Sequence, residues 1–172
     1  MAHILIAAFG LMFLLDAADK ALHFTRFTTS LSAYELLPAG MTCATAIALG
    51  LAGFLVGAAL LGAIAVVQAA AGGSALLLLF AAGMAINLAR GRKDLECGCG
   101  TAASGQRLQW RLVARNVVLA CVLLIAATVS SHAAPLRLIE VLPAAFGLAL
   151  VYLAVSAVWA SGSQQQFRLG SL

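Results

Sequence analysis

The sequence predicts an all-α, polytopic membrane helix bundle of about five transmembrane helices, a four-helix core plus one. Three observations carry this expectation. Of 172 residues, 63% are hydrophobic and 9% charged, whereas a soluble domain has about a quarter of its residues charged and needs them to cover its surface. The apolar residues form runs near the ~20 that a helix needs to cross a bilayer core. The basic residues are gathered on alternate loops, the pattern that orients membrane proteins.

The first span is expected at about Ile4 to Phe24. Its apolar run could be taken for a secretory signal, but no Lys or Arg precedes it, so it reads as a retained helix. A polar segment, Thr25 to Leu37, ends at Pro38. The apolar stretch that follows is too long for one span. Ala69 to Ser74, with Gly72-Gly73, is the natural break, giving span two as about Met41 to Val67 and span three as about Ala75 to Ala89. Arg90 to Arg111 is the longest polar loop. Span four is expected at about Leu112 to Val129, a short loop holds Pro135 and Arg137, and span five runs from about Val141 to Ala160. This gives a single bundle domain, 1–161, with its distinctive loop at 90–111, and a polar tail, 162–172.

With five spans, residues 20–38, 90–111 and the tail share one side, and nine of the ten Lys and Arg fall there, Arg137 being the exception. The positive-inside rule places that side, and the 90–111 loop, in the cytoplasm of a bacterial inner membrane. The net charge of +4 therefore reflects topology, and nucleic acid is not an expected partner; the lipid bilayer is.

Chemistry concentrates in Cys97-Gly98-Cys99, set between Asp94-Leu95-Glu96 and the small residues from Gly100 to Gly105. A disulfide closed across one residue makes a small, strained ring, and strain favours an exchange-active couple over a structural staple. Gly98 eases the tight turn. Arg92, Lys93, Arg107 and the start of span four would favour thiolate over thiol. Two other readings stay open: cysteines that merely pack, and a zinc site completed by Cys43 and His23. Cys43, at the head of span two, is either a relay thiol or a small packing residue, and Cys121 in span four reads as packing.

Asp16, Asp19, Lys20 and His23 step by three and four along span one, with Asp16 and Lys20 spaced to pair. Such residues are costly in lipid and should face the bundle interior or the interface. Their functional reading is proton handling or a cation that stabilises a thiolate; the alternative is a snorkelling helix end. Asn87 and Asn116 suit interhelical hydrogen bonds, and Gly53 and Gly57, in G-x-x-x-G spacing, a packing seam. No nucleotide loop, His-rich metal cluster or nucleophile triad is present in the sequence.

Lys20, Tyr34-Glu35-Leu36-Leu37-Pro38, Arg90-Gly91-Arg92, Cys97-Gly98-Cys99-Gly100 and Arg115-Asn116 together resemble the MauE family, methylamine-utilization membrane proteins related to DoxX-like proteins. The resemblance implies a redox accessory protein that helps mature the disulfide-rich small subunit of methylamine dehydrogenase beside a periplasmic thioredoxin-like partner, with no amine oxidation of its own. The layout is also similar to vitamin K epoxide reductase, which couples thiols to a quinone, but here the pair is C-x-C and the first loop offers only Cys43.

The expected function is thus thiol–disulfide exchange at Cys97 and Cys99, supported by Gly98, Lys20, Cys43, Arg115, Asn116 and Asp16, with a thioredoxin-like partner and a disulfide-rich substrate protein. Two rival readings are a non-catalytic scaffold and a DoxX-type subunit in which the Asp16 to His23 stripe lines a quinone pocket; a quinone is the one cofactor considered. The implied periplasmic role conflicts with the charge count. Either the pair passes electrons across the membrane from a cytoplasmic reductant, or the span count differs.

Overall fold

The computed structural model describes residues 2–92, 95, 108–130, 143, 146, 147 and 150. Among them run α1 (Ala2–Leu22), α2 (Phe24–Ala33), a 3-10 turn (Ala39–Met41), α3 (Thr42–Leu61), α4 (Val66–Ala89) and α5 (Trp110–Ser130). α1, α3, α4 and α5 are each long and apolar enough to cross a membrane. The chain is a multi-pass helical membrane protein, as its composition implies. The expected fifth span, Val141 to Ala160, falls almost wholly outside the described residues.

Two expectations about the elements are corrected. Gly72-Gly73 does not separate spans two and three, because α4 runs unbroken through both. The reversal comes earlier, at residues 62–65, where α3 ends in a Schellman motif: the Ala63 N–H donates to the Leu60 carbonyl at 3.4 Å and the Ile64 N–H to the Ala59 carbonyl at 2.9 Å. Ala63 takes the left-handed position (φ 52°) that usually selects glycine. The segment from Thr25 to Leu37 is largely helical, forming α2. Phe24, Phe27, Leu31 and Tyr34 follow a three-four-three spacing that gives the helix one apolar face. Its hydroxyls bond back to the helix, Thr28 and Thr29 both donating to the Thr25 carbonyl and Ser32 to that of Thr29.

The helices pack by close approach of small residues, the route open to helices in lipid. α1 and α3 cross antiparallel in backbone contact. A Cβ on Gly57 would lie 2.9 Å from the Gly10 carbonyl oxygen and 3.0 Å from the Leu14 nitrogen. Gly73 marks the centre of the bundle, since a Cβ there would meet Phe13 of α1, Val56 of α3 and Leu123 of α5, all at 3.0–3.1 Å. α4 and α5 are antiparallel, with the Ser74 hydroxyl donating to the Ala120 carbonyl at 3.1 Å. The main core gathers Ile6, Phe9, Phe13, Leu60, Ala70, Leu77, Ala120 and Leu123. A second, separate cluster of Tyr34, Met84, Leu88, Leu108 and Leu112 lies at one end.

Candidate functional site

That second cluster holds the two flanks of the cysteine segment, Leu95 and Leu108. Cys97, Gly98 and Cys99 lie outside the described residues, but their flanks do not. The Leu108 N–H donates to the Leu95 carbonyl at 3.0 Å, Leu108 is buried, and Leu95 packs against the cluster. Residues 95 and 108 therefore meet at one closed point, beside the last turn of α4 and the first of α5.

Two motifs distant in sequence meet at this end. α4 closes with another Schellman motif, the Gly91 N–H donating to the Leu88 carbonyl and the Arg92 N–H to the Asn87 carbonyl, both at 3.0 Å. Gly91 occupies the left-handed position at φ 79°, which a residue with a Cβ fills only at a cost. The turn sends the Arg92 guanidinium to the Glu35 carboxylate, 2.8 Å away. Glu35 is itself left-handed, φ 51°, and caps α2 through its N–H bond to the Ser32 carbonyl. Pro38 then opens the 3-10 turn into α3, its carbonyl accepting from the Met41 N–H. The Tyr34 to Pro38 and Arg90 to Arg92 segments are thus parts of one junction.

The polar stripe of α1 divides into two pairs. Lys20 is buried and ion-paired with Asp16, and its ammonium lies 5.2 Å from the Phe27 ring centre and 5.1 Å from that of Phe80. His23 is exposed and its Nδ1 is 3.0 Å from Asp19 Oδ1. Two turns along each helix from the Phe13, Gly73 and Leu123 crossing stand Lys20, Phe80 and Asn116, so the three share a level of the bundle. Asn116 is buried. Arg115 beside it is partly buried, and its Nε has no hydrogen-bond partner among the described residues.

Asn87, expected to bond across helices, instead donates through Nδ2 to the Gly83 carbonyl one turn back at 3.1 Å, and its fully buried Oδ1 has no partner among the described residues. Cys43 is exposed on the first turn of α3, at this same end. Cys121, expected as packing, is exposed on α5. Between α1 and α3, where they diverge from the Gly10 and Gly57 crossing, lies a groove of about 520 Å³ lined by Leu14, Ala17, Phe24, Ile47, Gly50, Phe54 and neighbours, with Lys20 as its charged member. Among the described residues no group of three or more His, Cys, Asp or Glu could hold a metal ion.

Sequence reasoning missed Phe27 and Phe80 as partners of Lys20. The spacing of Phe24, Phe27, Leu31 and Tyr34 was the available signal for the first, whereas nothing local marks Phe80. It also assigned Arg92 to the thiols, while the structure gives its guanidinium to Glu35.

The family model described as methylamine utilisation protein MauE matches residues 1–129, from α1 to the last turn of α5. The chain belongs to the MauE family. Its relatives include the methylamine utilization protein MauE of Paracoccus denitrificans, 35% identical over 131 residues, which are 76% of this chain and 70% of that protein. The MauE of Methylorubrum extorquens is 49% identical over 45 residues, 26% of this chain and 24% of the relative. The MauE of Paracoccus versutus is 40% identical over 57 residues, 33% and 31% of the two chains. No solved structure matches.

Proposed function

We propose that this chain is a membrane redox accessory protein for methylamine utilization, using Cys97 and Cys99 as a thiol–disulfide couple to support disulfide formation in a partner such as the small subunit of methylamine dehydrogenase. One observation carries the reading: the Tyr34 to Pro38 and Arg90 to Arg92 motifs, 57 residues apart at Glu35 and Arg92, are ion-paired at the end where the cysteine segment departs. A junction built there by two distant motifs favours a working end over an incidental loop.

In the oxidising direction, a partner thiolate attacks one sulfur of the Cys97–Cys99 disulfide, forming a mixed disulfide and releasing the other cysteine as thiolate. A second partner thiolate then attacks the partner's sulfur in that adduct. The partner loses two electrons to become a disulfide, and Cys97 and Cys99 gain them as a dithiol. A thioredoxin-like disulfide or a quinone re-oxidises the pair. The groove of about 520 Å³ favours the quinone, because it is an apolar site within the bilayer span of α1 and α3. Copurified quinone supports that route, and its absence from protein extracted in mild detergent and still active in exchange removes it.

The central test is substitution. Either Cys97→Ser or Cys99→Ser traps a reducible, higher-mass adduct with a thioredoxin-like protein, whereas the double variant gives none and abolishes maturation. Normal maturation by a stably inserted double variant overturns the redox role and leaves a scaffold.

A further inference from the structure

Lys20 is almost fully buried, at 5% exposure, in a helix that crosses the membrane. A charge there is costly and is retained only with partners. Asp16 neutralises it, one turn back on the same helix, but that pair by itself fixes nothing beyond α1. An ammonium has three N–H donors. Around the remainder of the group stand two aromatic rings from two other elements, Phe27 of α2 and Phe80 of α4, with centres 5.2 and 5.1 Å from Nζ. Both distances fall inside the ~6 Å within which a cation is attracted to a ring face, and the attraction grows when water is excluded.

The position matters because α2 otherwise packs mainly against α3 and α1. It is a helix of 10 residues, below the ~12–15 at which an isolated helix becomes even marginal in water. Among its residues, Phe27 is the buried one. Its far end delivers Tyr34 to the cluster that holds Leu95 and Leu108, and Glu35 to Arg92. A cation held between the first part of α2 and the side of α4 therefore sets where the last part of α2 arrives.

We propose that Lys20 is a positioning residue: its ammonium, made neutral overall by Asp16, pins α2 to α4 through Phe27 and Phe80 and so registers the Tyr34 and Glu35 junction beside Leu95 and Leu108, the flanks of the cysteine segment. This differs from a cation that acts on the thiols directly. Its consequence for the cysteines rests on the thiol reading above, but the docking of α2 does not.

Amide hydrogen exchange of the full chain in lipid nanodiscs tests the docking and needs no redox activity. Lys20→Met alone strands the Asp16 carboxylate, so the decisive variant is Asp16→Asn with Lys20→Met, a neutral pair of similar size. Exchange across residues 24–33 should rise about tenfold, the factor equivalent to ~1.4 kcal/mol, while α4 and α5 keep native protection. Phe27→Leu, which retains the ion pair and the apolar contact, should raise it about threefold, and Lys20→Arg should leave it within about twofold of native. Should the neutral pair fail to insert, Phe27→Leu decides. Native exchange of α2 in the neutral pair, or in Phe27→Leu, reduces Lys20 to a counterion for Asp16 and overturns the proposal. Release of α2 by Lys20→Arg overturns it equally.

Discussion

Gly53 and Gly57 stand one turn apart on α3 and are indistinguishable as a G-x-x-x-G pair, yet adding a methyl group to each should have opposite effects. At Gly57 the new Cβ would sit 2.9 Å from the Gly10 carbonyl oxygen and 3.0 Å from the Leu14 nitrogen, both backbone atoms of α1. Neither can turn aside as a side chain would, so α1 and α3 must part by roughly 0.5 Å to reach ordinary contact. A gap of that size forfeits about a quarter of the dispersion energy along the seam, and overpacking of this kind costs about 1–3 kcal/mol. The better helix propensity of Ala returns up to about 1 kcal/mol. Gly57→Ala should therefore destabilise by about 1–2 kcal/mol. At Gly53 no atom lies within 4 Å of the added Cβ, leaving only the propensity gain, so Gly53→Ala should be neutral or stabilising by up to about 1 kcal/mol. Equilibrium unfolding in mixed micelles, with both variants measured beside the native chain, reads the difference. Equal stabilities for the two variants would refute the α1 and α3 crossing as the reason.

Gly91→Ala meets no neighbour within 4 Å and should cost only the left-handed penalty of about 1–2 kcal/mol, appearing as faster exchange in the last turn of α4; unchanged exchange would count against the Schellman ending. Asn87→Leu removes a buried carbonyl oxygen without a partner and should leave stability unchanged or raise it by about 1 kcal/mol, as measured by thermal melting. A clear loss would mean that Asn87 Oδ1 holds a bond to something the bundle alone does not contain. A membrane-impermeant maleimide should fail to label reduced Cys97 and Cys99 from the periplasmic side, because the six described Lys and Arg, from Lys20 to Arg115, all lie at the end where that segment departs. Ready labelling would reverse the topology and give a periplasmic partner direct access to the pair, whereas protection means that the pair serves a periplasmic protein only through a carrier that crosses the membrane.

The spans were legible in the sequence because hydropathy and length report burial in lipid directly. Their boundaries were less so. Gly72-Gly73 reads as a breaker by the habits of soluble proteins, but in lipid it marks the point where Phe13, Val56 and Leu123 converge on α4. The true reversal was hidden because alanines, not glycines, take the left-handed positions at 63 and 65. α2 was missed because its threonines and serines read as a loop, while the hydroxyls of Thr28, Thr29 and Ser32 are satisfied within the helix. At the site, the pairing of Asp16 with Lys20 followed from i, i+4 spacing, which is local. The joining of Glu35 to Arg92 did not, since it depends on two helix endings each turning through a left-handed residue.

The α3–α4 reversal also bears on how the chain enters the membrane. Between Glu35 and Arg90 the sequence contains no Asp, Glu, Lys or Arg, and the turn at 62–65 lies at the end opposite the basic residues. With the basic end in the cytoplasm, as the positive-inside rule expects, that turn would have to be carried through the hydrocarbon during biogenesis. It takes no formal charge with it, and the bonds from Gly62, Ala63 and Ile64 back to Ala58, Leu60 and Ala59 already occupy three of the carbonyls that a helix end would leave bare. The two helices can thus be inserted together as one folded hairpin, with the charged junctions at Glu35 and Arg90 halting it at the same surface.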